Sequence, residues 1–288
     1  MAPTLERAVE SLKRKVFLRE KSMLHRLRNL KGSDGDKQIF FVAGVHRSGT
    51  NMLMRVLERS WDTDVYLESD PRVFRDFIMR DSATVRRVIE ESPARRVVVK
   101  ALHEADNLTE LLQAFGPAKL FWIYRSYDDV VNSSLKHWPG WRNQLEDIIA
   151  DPTSASWRGR GMTPETLALI KSHHHGELSD ASAQALFWYY RNQLYYDQEL
   201  AGDPRVLILK YEDLVQDPEP NVRDIAEFAA ISANDEMIGL PSTSSIRKNP
   251  TPDIEPKVRD LCDAMTARLD QSWQDFRARF RAKTEVAA

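Results

Sequence analysis

Residues Gln38 to Leu53 read QIFFVAGVHRSGTNML, and this stretch decides the fold. An apolar, partly β-branched run breaks at Gly44 into a short basic loop, and a helical pattern begins after Gly49. That order reads as a buried strand, a loop and a helix start. Gly44 and Gly49 stand at the spacing of the Walker A loop, but Thr50 takes the place of its Lys and Asn51 the place of its Mg-binding Ser or Thr. The loop is therefore expected to hold an anion without the usual ATP and Mg²⁺ apparatus. Backbone N–H groups at a helix N-terminus, with Arg47 beside them, suit a phosphate-type anion that needs no metal. Taken alone, the same residues also read as an ordinary turn, so the rest of the chain has to decide.

A second stretch, Lys119 to Lys136 (KLFWIYRSYDDVVNSSLK), is an apolar strand ending in Arg125 and passing into a helix that bears Ser133. A planar guanidinium fork suits phosphate oxygens, and a hydroxyl one or two turns into the helix adds a contact from the same side. By itself Arg125 would read as a surface salt bridge. Asp128 and Asp129 fall in the helix's first turn, where they are expected as capping and dipole partners and not as metal ligands. A third stretch, Val206 to Ile225 (VLILKYEDLVQDPEPNVRDI), reads as strand, turn and helix, with Glu212 and Asp213 bracing the turn and Pro218 opening the helix.

Together these three stretches resemble the sulfotransferase family, with the resemblance running from about residue 38 to about residue 250. It implies a three-layer α/β fold, a parallel sheet with helices on both faces, like that of P-loop NTPases. It also implies 3′-phosphoadenosine 5′-phosphosulfate (PAPS) as sulfuryl donor, with His46, Arg47, Ser48, Gly49, Thr50, Asn51 and Met52 around its 5′-phosphosulfate. Arg125 and Ser133 would hold the 3′-phosphate. Residues 245–249, Ser-Ile-Arg-Lys-Asn, look like a degenerate form of the family's basic closing loop, which would put Arg247 and Lys248 on the donor. Asn249 stands where many relatives have Gly, and the glycine- and lysine-rich tail of the cytosolic phenol-sulfating branch is missing, so two solvated cations are an equal reading.

Sulfuryl transfer needs a base for the acceptor proton, a cation for the leaving phosphate and in-line positioning. Arg95 to Glu104, RRVVVKALHE, resembles the family segment in which a strand ends in Lys and a His follows as general base. Here His103 comes three residues after Lys100, a spacing familiar from bacterial relatives. An imidazole titrating near neutrality suits proton abstraction, and Lys100 or Arg47 would stabilise the leaving oxygen. Glu68, in YLESDP, competes as base, because tyrosylprotein and some carbohydrate sulfotransferases look similar in placing a Glu there; Glu104 would be a helper. The plainer alternatives are a buried histidine bonded to backbone and a carboxylate that orients substrate.

Strands expected near 38–44, 64–67, 96–100, 118–124 and 205–211 alternate with helical patterns, which argues a parallel sheet covered on both faces. Ligands in such sheets bind beyond the carboxyl ends of the strands, where the first loop, Lys100 to Glu104 and Arg125 would meet. With 288 residues, 42% of them hydrophobic, the chain can bury a sizeable core. One catalytic domain, 37–288, is expected after a basic amphipathic helix and a polar linker, Gly32 to Asp36, in 1–36.

The net charge of −2 hides an asymmetry: Met1 to Lys31 holds nine Lys or Arg against three acids, a local +6 that leaves −8 elsewhere. Nothing in this pattern marks a nucleic-acid-binding body. Leu5, Val9, Leu12, Val16, Met23, Leu27 and Leu30 recur near helical spacing among those cations. Such a helix packs on its own domain or on a partner chain, as in a homodimer, or lies on an anionic membrane as a peripheral contact. One cysteine, Cys262, precludes an internal disulfide, and no apolar run reaches the roughly 18 residues of a span, so a cytoplasmic location is expected.

His173, His174 and His175 read as a solvated or interfacial run, so no metal site is expected. Trp138, Trp141 and Trp157, with Arg142, Arg158 and Arg160, sit in a long insert suited to a lid or acceptor site. Phe187, Trp188, Tyr189, Tyr195 and Tyr196 are expected as helix packing, with one or two of them at the cleft. The reading is a PAPS-dependent sulfotransferase acting on a small-molecule or carbohydrate hydroxyl or amine, without metal. An ATP- or GTP-dependent phosphotransferase and a non-catalytic nucleotide-binding scaffold of the same fold are the alternatives.

Overall fold

The computed structural model describes residues 5–30 and 37–287; the expected linker, Gly32 to Asp36, lies outside them. Seven strands occur among the described residues: β1 (Gln38–Gly44), β2 (Thr63–Tyr66), β3 (Phe74–Arg75), β4 (Ile78–Met79), β5 (Arg96–Lys100), β6 (Ala118–Tyr124) and β7 (Val206–Lys210). The helices are α1 (Leu5–Leu30), α2 (Thr50–Glu58), α3 (Ser82–Glu91), α4 (Leu108–Ala114), α5 (Tyr127–Leu135), α6 (Trp141–Ala150) and α7 (Pro164–His173). They continue as α8 (Asp180–Asp197), α9 (Tyr211–Gln216), α10 (Pro218–Ala229), α11 (Asp235–Ile238) and α12 (Pro256–Ala287).

Five strands form one sheet in the order β2-β5-β1-β6-β7, and every pairing in it is parallel. Each of the five lies within a residue or two of its expected place. β1, β5 and β6 are buried almost throughout, which requires cover on both faces and explains why their sequences are continuous apolar runs. The carboxyl ends converge because Gly44 stands opposite Ile123 and Val42 opposite Lys100. The loops leaving β1, β5 and β6 therefore start side by side.

Gly44 and Gly49 are glycine for physical reasons. At φ +142° a Cβ on Gly44 would lie 2.2 Å from the Ile123 carbonyl oxygen. At φ +100° one on Gly49 would lie 2.1 Å from the Tyr211 ring. The first glycine lets the chain leave the strand against its neighbour, and the second lets the loop close on the segment after β7.

α12, beyond the resembling region, is part of the same body. Its Asp270 accepts from Tyr124 Oη and from Lys210 Nζ, both at 2.7 Å, and Asp213 accepts from Trp273 Nε1 at 2.8 Å. Cys262 is buried on that helix, and burial pushes its thiol well above the usual range. α1 packs on the domain through one face, holding Glu58, Trp61, Asp62 and Thr63. No helix among the described residues is long and apolar enough to cross a membrane.

β3 and β4 were not expected from the sequence. They form a two-stranded antiparallel hairpin whose turn residues, Asp76 and Phe77, both take positive φ, 51° and 65°. Gly, Asn or Asp usually fill such a turn. A phenylalanine there is strained, and it stands 58% exposed at the rim of the site.

Candidate active site

One cavity of about 680 Å³ opens at the carboxyl edge of the sheet. Its lining includes His46, Arg47, Gly49, Thr50, Asn51 and Met52 from the first loop and α2, Lys100 at the end of β5 with His103 just beyond it, and Arg125 and Ser133 after β6. Glu68 joins them from the segment after β2. Fourteen residues were expected at the site. All but Ser48, Arg247 and Lys248 line this cavity.

Ser48 is wholly buried just beneath, and its hydroxyl has no partner. Arg247 and Lys248 are exposed on a loop beside the site. That loop is fixed through its backbone: the Arg247 N–H donates to the Asp129 carboxylate at 3.2 Å, and Ser245 O accepts from Arg125 NH2 at 2.6 Å.

The anion cradle has the form expected of it. α2 starts at Gly49 with no side-chain cap, so the N–H groups of its first turn face the cavity end of the helix, where the dipole is positive. Arg47, at φ +70°, turns its side chain across to α5, where Nε donates to Ser133 Oγ at 2.8 Å. Burial, with Arg125 close by, lowers the Arg47 pKa, a cost that a bound anion would relieve.

Arg125 is more tightly engaged than a free guanidinium fork. Its NH2 also reaches Asp129 at 3.0 Å, its NH1 donates to the Arg47 carbonyl at 3.4 Å, and its plane lies 4.7 Å from the Tyr211 ring. Nε alone is buried without a partner. Asp128 pairs with Arg259 at 3.1 Å. Both acids lie in the first turn of α5, as expected of dipole partners, but both are engaged in ion pairs and neither caps the helix through its side chain. Glu212 takes the capping task, accepting from the Ser126 N–H at 3.0 Å.

Lys100 is 3% exposed and bridges Glu68 Oε2 at 2.5 Å and Asn51 Oδ1 at 2.9 Å. It thereby ties the β5 end to α2 and occupies one oxygen of the competing base. His103 is fixed differently. Its Nδ1 lies 2.9 Å from the Phe77 carbonyl, and a carbonyl can only accept, so Nδ1 carries the proton and the lone pair is on Nε2. Nε2 lies 3.1 Å from His46 Nε2, which must then be the donor. His46 Nδ1 is left as a buried lone pair with no partner. The Trp157 indole stacks on both rings, 4.4 Å from His46 and 4.3 Å from His103.

Burial, reinforced by Arg191, Lys100 and Arg158, lowers His103 to about 4. The expectation of an imidazole titrating near neutrality is corrected: the ring is already neutral at pH 7. His46 is held well below its ordinary value by burial and by His103, Arg191, Lys100 and Arg158. Glu104 moves the other way, up to about 7, chiefly by burial. It lies outside the cavity lining and accepts the Met79 N–H at 2.7 Å, bracing the hairpin whose tip holds His103.

One metal-type constellation occurs among the described residues, His46, Glu68 and His103, with ligand atoms within 4.8 Å of one another. His173, His174 and His175 make separate contacts, with Leu169 O, Glu146 and Glu255.

Phe77, Trp138, Trp141, Gln144, Trp157 and Arg158 form the other wall of the cavity. The three tryptophans and Arg158 were expected in a lid or acceptor wall. Arg142 and Arg160 turn elsewhere, Arg142 to the Gly176 carbonyl and Arg160 to the His103 carbonyl and Asp106. None of Phe187, Trp188, Tyr189, Tyr195 and Tyr196 reaches the cavity, and all pack inward on α8. Phe77 and Gln144 were missed, and so was Tyr211, which sits in the third sequence stretch. Its clue was Gly49, which leaves room for that ring.

A search of curated proteins found no match. Among solved structures, a sulfotransferase from Alicyclobacillus acidocaldarius is similar with a TM-score of 0.50 at 17% identity, over 84% of this chain and 96% of that one. The mouse sulfotransferase SULT7A1 complexed with PAP gives 0.41 at 20% identity, over 78% of this chain and 71% of that one. The first likeness shows the fold alone. The family sequence model described as the sulfotransferase domain matches residues 37–251. That match covers most of the chain, so the chain belongs to the sulfotransferase family and its class of activity is transfer of a sulfuryl group.

Proposed function

We propose that the protein transfers the sulfuryl group of PAPS to a hydroxyl or amine of a small molecule, with His103 as general base. The observation that carries this reading is the meeting in one cavity of an uncapped helix start beside Arg47, a buried lysine and a histidine whose lone pair is fixed on Nε2. The residues fit the donor. An uncapped helix start and Arg47 suit the 5′-phosphosulfate, and Arg125 with its orphaned Nε, next to Ser133, suits the 3′-phosphate. When bound, PAPS supplies an activated sulfuryl group on a phosphate leaving group.

His103 Nε2 takes the proton of the acceptor while the acceptor oxygen or nitrogen bonds to sulfur and the sulfur–oxygen bond to the phosphate breaks. Lys100 and Arg47 balance the charge that grows on the departing oxygen. His46 must give up its hydrogen bond to His103 for the acceptor to enter. The competing base, Glu68, has one oxygen held by Lys100, which favours His103. On the other wall, Phe77 and Trp138 offer ring faces to a flat or sugar-like acceptor, while Trp157 is covered by the two histidines and by Arg158, 5.0 Å from its ring.

Isothermal calorimetry with 3′-phosphoadenosine 5′-phosphate, ADP and ATP, each with and without Mg²⁺, tests the donor. Equal affinity for 3′-phosphoadenosine 5′-phosphate and ADP, or tight Mg-dependent ATP binding, would sink it. Transfer of labelled sulfate from PAPS to an acceptor library separates an enzyme from a non-catalytic scaffold of the same fold.

A further inference from the structure

α1 has two faces with opposite chemistry. The inner face is tied down along its length. Arg14 makes a two-pronged contact with Glu58 at 2.6 Å, and Phe17 sets its ring edge-on to Trp61 at 4.7 Å. Lys21 donates to the Glu58 carbonyl at 2.7 Å, and His25 bonds the Trp61 carbonyl at 2.7 Å. The outer face carries Val9, Leu12, Val16, Met23 and Leu27, exposed by 46, 63, 47, 65 and 48%. At 100° per residue all five fall within about a sixth of a turn, in a stripe roughly 27 Å long at 1.5 Å rise per residue. An apolar stripe of that length facing water marks a contact surface.

Its flanks say what the contact is. Exposed Lys13, Lys15, Arg19 and Arg26 border the stripe, and among the described side chains of α1 Glu20 is the one exposed acid. Two copies meeting through their stripes would bring these cations together, whereas anionic headgroups would give each a counter-charge. The remainder of the chain carries the −8 noted above and would be pushed away from such a surface, leaving α1 as the point of contact. We infer that the outer face of α1 docks the protein on an anionic lipid surface. The inner face grips Glu58, at the far end of α2 from the anion cradle, so docking does not bury the cavity.

The test is flotation of the full chain with vesicles of phosphatidylcholine and phosphatidylglycerol in equal parts, beside vesicles of phosphatidylcholine alone. The protein is expected to float with the mixed vesicles, less so in high salt, and to stay behind with the neutral ones. Leu12→Glu with Met23→Glu should lower the partition at least about tenfold, and each of Lys13→Gln, Arg19→Gln and Arg26→Gln about fivefold. All of these positions are exposed, so melting temperatures should match the parent's. No flotation with either vesicle, or equal flotation with both, would overturn the inference. A dimer in sedimentation equilibrium that Leu12→Glu dissolves, with no vesicle binding, would give the stripe to a second copy instead.

Discussion

The two walls of the cavity are built in different ways. The donor wall is a set of strand ends: Gly44 and Lys100 close two parallel strands of one sheet and Arg125 follows a third, and bonds from Lys100 to Asn51, Arg125 to the Arg47 carbonyl and Arg47 to Ser133 tie the surrounding loops together. The acceptor wall comes from segments with no such frame: a two-stranded hairpin, a 3-10 turn at residues 156–158 and the start of α6. It is held by ring stacking and by a few bonds to backbone, such as His103 to the Phe77 carbonyl. On the proposed reading, the sheet fixes the wall that reads the donor, and connecting segments form the wall that meets the acceptor.

If the walls are separate in this way, changes on one should leave the other's ligand alone. The largest effect is expected from His103→Ala, which should lower turnover by about 10² to 10⁴ and leave affinity for 3′-phosphoadenosine 5′-phosphate unchanged. A parallel loss of nucleotide affinity would break the comparison. Glu68→Gln is the opposing test, since it keeps the shape of the side chain and removes its basicity. Loss of transfer in Glu68→Gln, with most of it kept in His103→Ala, would make the carboxylate the base. The pH profile adds a second check. Because His103 is lowered to about 4, turnover should climb as pH rises through about 4 and be flat around 7. A midpoint near the ordinary imidazole value would mean that the ring is more open to water than its burial here implies.

Next in size, Arg125→Ala should cost at least about tenfold in affinity for 3′-phosphoadenosine 5′-phosphate, from a charge-assisted contact worth roughly 1.5 to 3 kcal/mol. Affinity for ADP, which lacks the 3′-phosphate, should change far less. Asp129→Asn sharpens the point. Asp129 holds Arg125 at 3.0 Å, so releasing that pair should free the guanidinium and hold or improve nucleotide affinity. A large loss in Asp129→Asn would mean that the ion pair is needed to aim the arginine.

The contrast between the walls also explains what could be read in the sequence. The donor wall was legible because each of its parts is local: an apolar run gives the strand, and the next few residues line the cavity. Adding one parallel sheet was enough to bring Arg47, Lys100 and Arg125 together. The acceptor wall was legible only in part, since Trp157 reaches His103 by tertiary packing across 54 positions and no spacing encodes that. The hairpin escaped because its turn, Asp76–Phe77, lacks the glycine or asparagine that signals one. The state of His103 escaped for a third reason: residue type supplies only an ordinary pKa, and the shift comes from burial beside three cations.

A smaller effect concerns the brace of the hairpin. Glu104 is 8% exposed and raised to about 7 by burial, so the fold holds its proton over a pH range in which the unfolded chain has lost it. Stability from this group is full below its ordinary value near 4.5 and is lost as pH rises through about 7. Between pH 5 and 8 this should amount to roughly 1 to 3 kcal/mol. Glu104→Gln keeps an acceptor for the Met79 N–H and cannot ionise, so its urea midpoint should vary less with pH over that range. An unchanged profile would place the carboxyl in contact with water.

The smallest expected change is none at all, on adding EDTA. On the proposed reading, the donor wall would meet its ligand with backbone N–H groups, Arg47, Lys100 and Arg125, which supply positive charge without a divalent ion. The rival is specific. His46, Glu68 and His103 bring three ligand atoms within 4.8 Å of one another, a His₂Glu set of the kind that binds zinc. Lys100 already sits 2.5 Å from Glu68, and an ion there would have to share that carboxylate with an ammonium and would take the His103 lone pair needed for proton transfer. Bound metal is therefore expected to inhibit: added Zn²⁺ should slow transfer, and EDTA should restore it without raising it above the metal-free rate. If chelation instead abolished activity and Zn²⁺ or Mg²⁺ restored it, the acceptor wall would be a metal site, and His103 a ligand rather than the base.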